Sequence, residues 1–470
     1  MFKRRIPNRT DLGNAAFFAA LFREKVCFDH ARKRWLFFEK HWWTTDGDGK
    51  LIRMAKQVPR LRLENSAKIA DKERRESEAR WAMQSESLAR IKAILALAES
   101  EKHLAIEGTN WDHDPWLLGV ANGVVDLRTG KLRPGSPGDR ITLHTEIEFT
   151  PSTQSPRWDR FLMEIFDGDS ELVSFVHRAT GYTLTGDTSE QCFFCCYGLG
   201  GNGKGKFLEA LRYVLGGYAC NLPFSAFELQ ARSSIPNDLA TLPGRRFVTA
   251  IESDETARLN EARIKALTGC DPITARLLYR EYFTFTPQAK FWLAFNHRPP
   301  VLDDSHGFWR RVRLIPFVRQ FKTKAEPELE KTLRAEAPGI LAWAVRGCLE
   351  WQVKGLGLPI AVKTATDVYR EESNPLSDFM ADRTISDPDA KVGVGCLWSE
   401  YNDWAKENAE RNPLNRSQFT SRLEGMGYRK DRCGHRRDRM WIGICRKQDS
   451  QAQGLRPGAD ARTCADAKFN

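Results

Sequence analysis

The sequence lacks the features of a membrane or exported protein. None of its 470 residues fall in an uninterrupted apolar run of about 18, the length that spans a bilayer. Its basic start, MFKRRIPNRTDLGN, leads into no apolar segment with a small-residue cleavage site, so we expect no export. Internal repeats and low-complexity tracts are also missing. We therefore expect a cytoplasmic protein with no membrane partner.

The cysteines are too few and too scattered for a disulfide scaffold. There are 11, an odd number, and most lie in apolar runs, as is typical of reduced cytosolic chains. Cys192, Cys195 and Cys196 resemble half of a zinc site, but no second pair follows at zinc-finger spacing. The pattern favours buried core residues over metal ligands.

Charge is plentiful and uneven. Lys and Arg number 72 against 61 Asp and Glu, giving a net charge of +11. Residues 411–447 carry 11 of the basic side chains and three acidic ones. A solvated face is the ordinary explanation of such a run, but here helix and hairpin signals accompany it. This combination favours a polyanion-binding surface.

The length predicts about three domains. Residues 52–105 carry almost no turn signals and predict one or two long, exposed helices. Apolar pairs around Asn122-Gly123 and Thr129-Gly130 predict a small hairpin unit, and Trp158 to Leu184 has a helical pattern.

A phosphate-binding loop is the strongest motif. CFFCCY (192–197) predicts a buried parallel strand, and GLGGNGKGKFLEAL follows it with apolar residues at helical spacing. Backbone amides and a helix N-terminus there would hold phosphates, and the lysine would reach the terminal ones. The predicted nucleotide-binding residues are Gly198, Leu199, Gly200, Gly201, Asn202, Gly203, Lys204, Gly205 and Lys206.

One position departs from the motif. Gly205 stands where a Ser or Thr hydroxyl usually binds Mg²⁺, so water or a nearby carboxylate must complete the metal shell. The alternative is a loop that binds nucleotide and hydrolyses it poorly.

Three further signals follow along the chain. Phe247 to Ile251 predicts a strand that ends in Glu252, Asp254 and Glu255, carboxylates that can hold Mg²⁺ and polarise water. KFWLAFN (290–296) predicts another strand, whose terminal Asn296 can orient the attacking water. Next, Arg310, Arg311 and Arg313 precede a last strand, and in a ring of subunits one of them can reach the neighbour's γ-phosphate.

The C-terminal region predicts a DNA-binding module. Leu397 to Ala405 and the segment NPLNRSQFTSRLEGMGY read as helices, the second capped by Asn415 or Ser417 with Phe419, Leu423 and Met426 as its apolar stripe. A basic hairpin follows. Helix, helix and hairpin form a winged-helix pattern, whose alternative is a protein-docking module. Its predicted DNA contacts are Arg416, Arg429, Lys430, Arg436 and Arg437.

The ordered motifs GLGGNGKGKF, AIESDETARLNEARIKALTGCDPITAR, FWLAFNHRP and GFWRRVRLIPF resemble the phage/plasmid primase–helicase family of superfamily 3 helicases, which includes the poxvirus helicase-primase. ANGVVDLRTG and TDLGN resemble the domain before the helicase, and GILAWAVRGCLEW and ESNPLSDF its downstream helices. The resemblance covers roughly residues 10–445. No N-terminal polymerase-type primase domain is recognised.

The resemblance implies a role for each matched residue. Lys204 would bind ATP, Glu252 and Asp254 would hold Mg²⁺, with Glu255 in the same acidic motif, and Asn296 would be the sensor. Arg310 or Arg311 would be the arginine finger in trans. Lys265, Arg276 and Arg280 would couple hydrolysis to DNA movement.

We therefore predict an α/β protein with a P-loop core of the superfamily 3, AAA+-like type. The predicted divisions are an N-terminal α+β region (1–185), the ATPase core (186–320), a helical lid (321–375), a winged helix (376–447) and a disordered tail (448–470). The expected function is an ATP- and Mg²⁺-dependent DNA helicase. The resemblance implies a ring, a hexamer in the family's manner, and 3′-to-5′ polarity. The protein would act on single-stranded DNA and an origin duplex in a bacterium or phage-infected cell. A separate primase would be its partner. The alternatives are a primase–helicase polypeptide and a non-hydrolysing origin-binding protein.

Overall fold

The computed structural model describes residues 7–229, 238–252, 258–276, 281–301, 303, 305–321, 328–373, 376–408, 413–433 and 438–450. Asp254, Glu255, Arg280, Arg436 and Arg437 lie outside these ranges. So does most of the predicted C-terminal tail, although its first residues form a short helix.

The N-terminal unit packs helices on a small mixed sheet of order β3-β2-β1-β4. Its core contains Phe18, Val26, Phe37 and Ile94, all nearly inaccessible to solvent. The elements are α1 (Asp11–Phe22), β1 (Val26–Asp29), β2 (Arg34–Glu39), β3 (Trp42–Thr45), α2 (Lys50–Ala55), α3 (Gln57–Ser66), α4 (Lys72–Gln84), α5 (Leu88–Ala98) and β4 (Ala105–Ile106).

The prediction of one or two long helices over 52–105 is wrong, because four shorter helices fill this segment. Asp71 begins α4 by accepting a hydrogen bond from the Arg74 amide, and Ser87 begins α5 by accepting one from Arg90. Such N-caps satisfy amides that a helix start leaves without partners. They divide a continuous run of helix-forming residues into short helices that pack on α1 and on one another.

A hairpin unit and two helices connect this region to the central sheet. These elements are β5 (Leu117–Val120), β6 (Gly123–Asp126), β7 (Lys131–Arg133), α6 (Pro156–Ile165) and α7 (Ser170–Leu184). The hairpin prediction is confirmed by antiparallel pairing of β6 with β5 and β7. The single helical pattern from Trp158 to Leu184 is two helices, since Asp169 starts α7 as its N-cap after a turn at Asp167 and Gly168, both with positive φ.

A five-stranded parallel sheet, of order β14-β8-β13-β10-β9, forms the centre of the molecule. Its strands are mostly continuous buried apolar runs, as expected of a sheet covered on both faces. The elements of this segment are β8 (Phe193–Tyr197), α8 (Lys204–Leu215), β9 (Ala219–Asn221), β10 (Phe247–Ile251), α9 (Glu261–Thr268), β11 (Ile273–Arg276), β12 (Tyr282–Phe285), β13 (Lys290–Phe295), α10 (His306–Trp309) and β14 (Val312–Pro316).

The helices that follow the sheet are α11 (Leu329–Ala335), α12 (Ala337–Lys354) and α13 (Ile360–Glu372). Helix α12 lies against α7 with close backbone approach, since a Cβ at Gly181 would come within 2.0 Å of the Cys348 amide nitrogen. One continuous hydrophobic cluster therefore joins the hairpin unit, α6 to α8, the central sheet and α12.

The C-terminal unit has its own core around Phe379, Tyr401, Phe419 and Trp441. Its three-stranded antiparallel sheet has the order β15-β17-β16. The elements are α14 (Ser377–Arg383), β15 (Thr384–Gly393), α15 (Val394–Glu407), α16 (Arg416–Gly425), β16 (Arg429–Cys433), β17 (Asp438–Arg446) and α17 (Lys447–Ser450).

The two predicted helices and the predicted hairpin of this unit are confirmed. Asn415 caps α16 in a reciprocal capping box with Gln418, and β16 pairs with β17 as the expected hairpin. Met426 is the exception in the predicted apolar stripe: it is 40% exposed, because α16 ends at Gly425. Within the described ranges, no helix has the length and apolarity needed to cross a bilayer.

Candidate functional site

The glycine-rich loop joins β8 to α8 as the sequence predicts. Gly201 and Gly203 have φ values of +72° and +86°, conformations that favour glycine. A Cβ at Gly203 would also lie 2.5 Å from the Ile165 side chain, and one at Gly198 would lie 2.3 Å from the Phe317 carbonyl oxygen. Neighbouring backbone and side chains therefore leave no room for other residues at these two positions.

Asn202 fixes the loop from within. It is 2% exposed, donates through Nδ2 to the Phe317 carbonyl (3.2 Å) and accepts through Oδ1 from the Lys204 amide (3.4 Å). The Phe321 amide also donates to the Gly201 carbonyl at 2.9 Å. The segment after β14 thus braces one side of the loop. The motif gives no sign of this contact, since it depends on β14 lying beside β8.

Lys204 is the first residue of α8 and is largely buried. Its Nζ donates to the Gly198 carbonyl and, at 3.0 Å, to Oδ1 of Asn296. Burial lowers the pKa of this amine, and the nearby Cys196 and Glu252 oppose that effect. The structure therefore brings together the predicted phosphate-binding lysine and the predicted sensor amide.

Glu252 completes the group at this edge. It follows β10 directly, and its Oε2 accepts hydrogen bonds from the amides of Asn296 (3.2 Å) and His297 (3.4 Å). Because β8, β13 and β10 are adjacent parallel strands, their carboxyl ends meet at one edge, where ligands bind in open α/β sheets. Lys204, Glu252 and Asn296 therefore lie close together at this edge, although each is more than forty positions from the next in the sequence.

The donor set fits a nucleotide phosphate better than a fully protein-held metal. Amides at the start of α8 and the Lys204 ammonium suit an anion. Of the two predicted metal ligands, Glu252 lies at the site and Asp254 falls outside the described residues. Among the residues described, no cluster of three or more His, Cys, Asp or Glu forms a metal site. A Mg²⁺ ion here would be held chiefly by substrate phosphates and water, with Glu252 as the carboxylate.

Gly205 and Lys206 differ in their surroundings. A Cβ built at Gly205 has no neighbour within 4 Å, so the missing hydroxyl reflects the residue type and not a lack of space. Lys206 is turned away from the loop in ion pairs with Glu209 (3.1 Å) and Glu330 (2.6 Å). Glu330 belongs to α11, so this lysine connects α8 to the helices that follow the sheet.

The predicted finger arginines lie at the opposite, amino edge of the sheet. Arg310 and Arg311 immediately precede β14, whose Val312 is in register with Phe193 at the start of β8. The glycine-rich loop follows the other end of β8, a strand of five residues that spans about 16 Å. Neither arginine can therefore reach the glycine-rich loop of its own chain.

The residues predicted to couple hydrolysis to DNA movement lie on α9 and on the β11–β12 hairpin. Strands β11 and β12 pair antiparallel as a hairpin, in which the Arg276 guanidinium lies 4.9 Å from the centroid of the Tyr282 ring. Lys265, on α9, pairs with Asp303 at 2.7 Å. This ion pair ties the amine to the protein surface, so Lys265 is less available to DNA than its position in the motif implies.

The predicted DNA contacts of the C-terminal unit that the structure describes lie on its surface. Arg416 begins α16, and Arg429 and Lys430 open β16; all three are exposed. Lys430 is held by Glu424 (2.9 Å) and lies 4.8 Å from the Trp441 ring. Lys430, Asp431, Arg432 and Arg439 also line a cleft of about 290 Å³ on the hairpin.

The cysteine cluster is core, as the sequence predicts. Cys195 and Cys196 lie on β8 and Cys192 immediately precedes it; all three are buried free thiols, and burial raises their pKa values. Two buried cations are not evident from the sequence patterns. Arg246 immediately precedes β10 and Lys290 begins β13. Each is 1% exposed, and they donate to backbone carbonyls that include those of Leu184 and Thr185.

Comparison with known proteins gives two family matches. Residues 15–167 match the family described as D5 N terminal like, and residues 196–311 match a family of unknown function, DUF5906. The second match contains the glycine-rich loop, Glu252 and Asn296.

The relatives come from large DNA viruses. "Putative helicase L207/L206" of Acanthamoeba polyphaga mimivirus is 29% identical over 325 residues, which cover 64% of this chain and 34% of the relative. "Putative helicase 022R" of Frog virus 3 is 22% identical, covering 65% and 40%. "Putative primase C962R" of African swine fever virus is 24% identical, covering 63% and 34%. The chain thus spans between a third and two fifths of the length of these relatives.

A solved structure, the apo NrS-1 C terminal region, aligns over 88% of this chain and 86% of that one, with 12% identity and a TM-score of 0.49. The family matches and the viral relatives confirm the resemblance that the four motifs indicate.

Proposed function

This chain carries a D5 N terminal like domain of the primase–helicase family, and on that premise we propose that it is an ATP-dependent DNA helicase acting in replication. Its core would be a P-loop ATPase of the superfamily 3 type, followed by a winged helix that contacts DNA. The names of the viral relatives support helicase activity for the family, and the site geometry supports this mechanism for the chain.

The convergence of Lys204, Asn296 and Glu252 at one sheet edge carries the proposal. Lys204 would move from the Gly198 carbonyl to the β- and γ-phosphates, since a charged acceptor binds the ammonium more strongly than a carbonyl does. Asn296, released from the amine, would orient the attacking water. Glu252, held by two backbone amides, would polarise that water or hold Mg²⁺.

The position of the arginines supports assembly. A finger that cannot reach its own phosphate loop acts only if a second protomer presents its loop. We therefore propose a ring of protomers, a hexamer in the family's manner, with ATP between neighbours. The β11–β12 hairpin and the basic C-terminal unit would contact DNA, with Arg276 the described hairpin cation.

The arrangement of α14, β15, α15, α16, β16 and β17 supports the winged-helix proposal. Helix α16 would enter a groove, and the β16–β17 hairpin would be the wing, whose cations neutralise phosphates. Arg416 and Arg429 are exposed on these elements and available for this contact.

The test is ATP hydrolysis with and without single-stranded DNA, followed by strand displacement, for the wild type and Lys204→Ala. We expect Mg²⁺-dependent hydrolysis that DNA stimulates and that Lys204→Ala lowers at least ~100-fold. Equal rates for the two proteins would overturn the catalytic assignment. ATP binding without hydrolysis would favour the origin-binding alternative, which the absent hydroxyl at Gly205 makes worth testing.

A further inference from the structure

Three arginines at the amino edge of the central sheet are held in different ways. Arg311 is half-buried and donates to the Gly307 carbonyl of its own turn. Arg313 is half-buried and donates to the carbonyls of Arg310 (2.7 Å) and Val312 (3.1 Å). Arg310 is exposed, and its Nη2 donates to Oε1 of Gln191 at 2.8 Å. Arg310 is therefore the arginine of the three whose guanidinium is presented at the surface.

The partner of Arg310 is a neutral amide. A carboxylate at this distance would neutralise the guanidinium and compete with any phosphate that approached it. The amide oxygen fixes one N–H of a group that has five donors and leaves its charge in place. Among the described residues, no carboxylate forms an ion pair with Arg310. The preceding Glu190 is occupied elsewhere, since it accepts from the Trp351 indole at 2.7 Å.

Gln191 is itself fixed by an unusual backbone. Its φ is +46°, in the left-handed region that residues with a Cβ seldom adopt. Its backbone N–H donates to the Thr188 carbonyl at 3.0 Å. The residue stands immediately before Cys192 and β8. At the same end, the Phe193 amide donates to the Arg311 carbonyl at 2.9 Å, so Gln191 and Arg310 face each other across the start of the β8–β14 ladder.

We propose that Arg310, and not Arg311, is the arginine that reaches the ATP site of a neighbouring protomer, and that Gln191 is its positioning residue. Gln191 orients the guanidinium at the protomer surface without neutralising it. The left-handed turn is what aims the Gln191 amide at Arg310. This inference rests on the proposed function, because it presupposes an ATP site that two protomers share.

The variants that test the inference distinguish a loss of Arg310 orientation from a loss of protein stability. Gln191→Gly removes the amide and also relieves the left-handed backbone, so the protein should be at least as resistant to heat as the wild type. We expect its kcat for DNA-stimulated ATP hydrolysis to fall about tenfold with KM for ATP unchanged, since ground-state binding is untouched. Gln191→Glu should lower kcat further, because a carboxylate neutralises Arg310.

A double-variant cycle tests the link to Arg310. We expect Arg310→Ala to lower kcat about 1,000-fold, as removal of an arginine finger does, and Arg311→Ala to lower it less than tenfold. Adding Gln191→Gly to Arg310→Ala should then have no further effect, because the residues act as one unit. A greater fall in kcat for Arg311→Ala than for Arg310→Ala, or an additive fall in the double variant, would overturn the inference.

The outcomes also distinguish this inference from the proposed function. If the wild type hydrolyses ATP and Arg310→Ala abolishes hydrolysis while Gln191→Gly retains the wild-type kcat, the role of Gln191 is wrong and the shared site stands. If the wild type and Lys204→Ala are equally inactive, the proposed function is wrong, and the role of Gln191, which depends on it, is wrong as well.

Discussion

At the scale of single residues, Lys204, Asn296 and Glu252 are already connected to one another before any ligand binds. Lys204 is buried, yet its contacts are the neutral oxygens of Gly198 and Asn296. Burial lowers the pKa of the amine, so the ammonium gains more from a phosphate than an exposed lysine would. Asn296 contacts Lys204 through its side chain and Glu252 through its backbone amide. This asparagine therefore links the lysine of the glycine-rich loop to the carboxylate that follows β10.

Gly205→Ser tests whether the absent hydroxyl limits the metal site. No atom lies within 4 Å of a Cβ at this position, so the serine should fit without strain. One added oxygen ligand contributing about 1.5 kcal/mol would lower the Mg²⁺ concentration for half-maximal ATPase about tenfold. Gly205→Ala is the matched control, since it gives the helix a Cβ without a hydroxyl. Identical Mg²⁺ dependence of the serine and alanine variants would show that the metal does not meet this position.

Lys290 predicts a pH dependence of stability. Burial holds the pKa of this amine well below 10.5 in the folded chain. Between that lowered pKa and about 10.4, the unfolded chain binds more protons than the folded one, so stability rises with pH. Urea unfolding from pH 7 to pH 10 should show the free-energy difference between wild type and Lys290→Met growing in favour of the wild type. Parallel pH profiles would contradict the assigned direction.

At the scale of helices and strands, the elements that the sequence predicts well are those whose pattern comes from burial. The strands β8, β10 and β13 are apolar runs that fill a covered parallel sheet, and the sequence pattern predicts each within a residue or two. The same pattern does not separate the helices from 50 to 98, although Asp71 and Ser87 are recognisable N-caps. Most residues of this segment have high helix propensity, and helix propensity alone does not indicate where packing requires a turn. The N-caps are therefore easily overlooked.

The candidate site is predictable to a similar degree. Lys204, Glu252 and Asn296 each follow from a local pattern, and parallel strands bring their positions to one edge. The contacts of Asn202 with Phe317 and of Gln191 with Arg310 are not predictable in this way. Both depend on β14 lying next to β8, which is a long-range pairing that no local spacing encodes.

The C-terminal hairpin and α16 predict a measurable charge effect. Arg416 and Arg429 are exposed on these elements, so Arg416→Ala with Arg429→Ala should weaken DNA binding across sequences. The slope of log affinity against log salt should become shallower by about one for each phosphate that the variant no longer neutralises. Lys363→Ala, which removes an exposed cation from α13, is the control. An unchanged slope in the double variant would exclude these arginines from the DNA interface.

At the scale of the whole molecule, the hairpin unit of β5 to β7 and the central sheet are built together. Arg246, immediately before β10, donates to the carbonyls of Leu117 (2.8 Å) and Leu184 (2.7 Å), and its guanidinium lies over the Tyr218 ring. The C-terminal unit has a core of its own, as does the N-terminal unit. The hairpin unit and the central sheet are thus expected to unfold together, and the C-terminal unit to be separable.

A chain ending at Ser373 tests this separation. It removes α14 to α17 without cutting a strand, whereas an end at Asp387 would divide β15. We expect the shortened protein to fold and to keep its DNA-independent ATPase rate, because Lys204, Asn296 and Glu252 all lie in the part that remains. Its stimulation by DNA should fall. A reduced basal rate in a protein whose circular dichroism shows it to be folded would mean that the C-terminal unit contributes to the ATP site.

We propose that ATP is cleaved between two protomers, one supplying Lys204 and the other Arg310. A mixture of two inactive variants shows whether the site is shared. Lys204→Ala retains the arginine and Arg310→Ala retains the phosphate loop, so some interfaces of a mixed assembly hold one intact copy of each. We predict that each variant alone is nearly inactive and that their mixture regains DNA-stimulated ATP hydrolysis. A mixture as inactive as its components, formed from variants shown to co-assemble, would contradict the shared site.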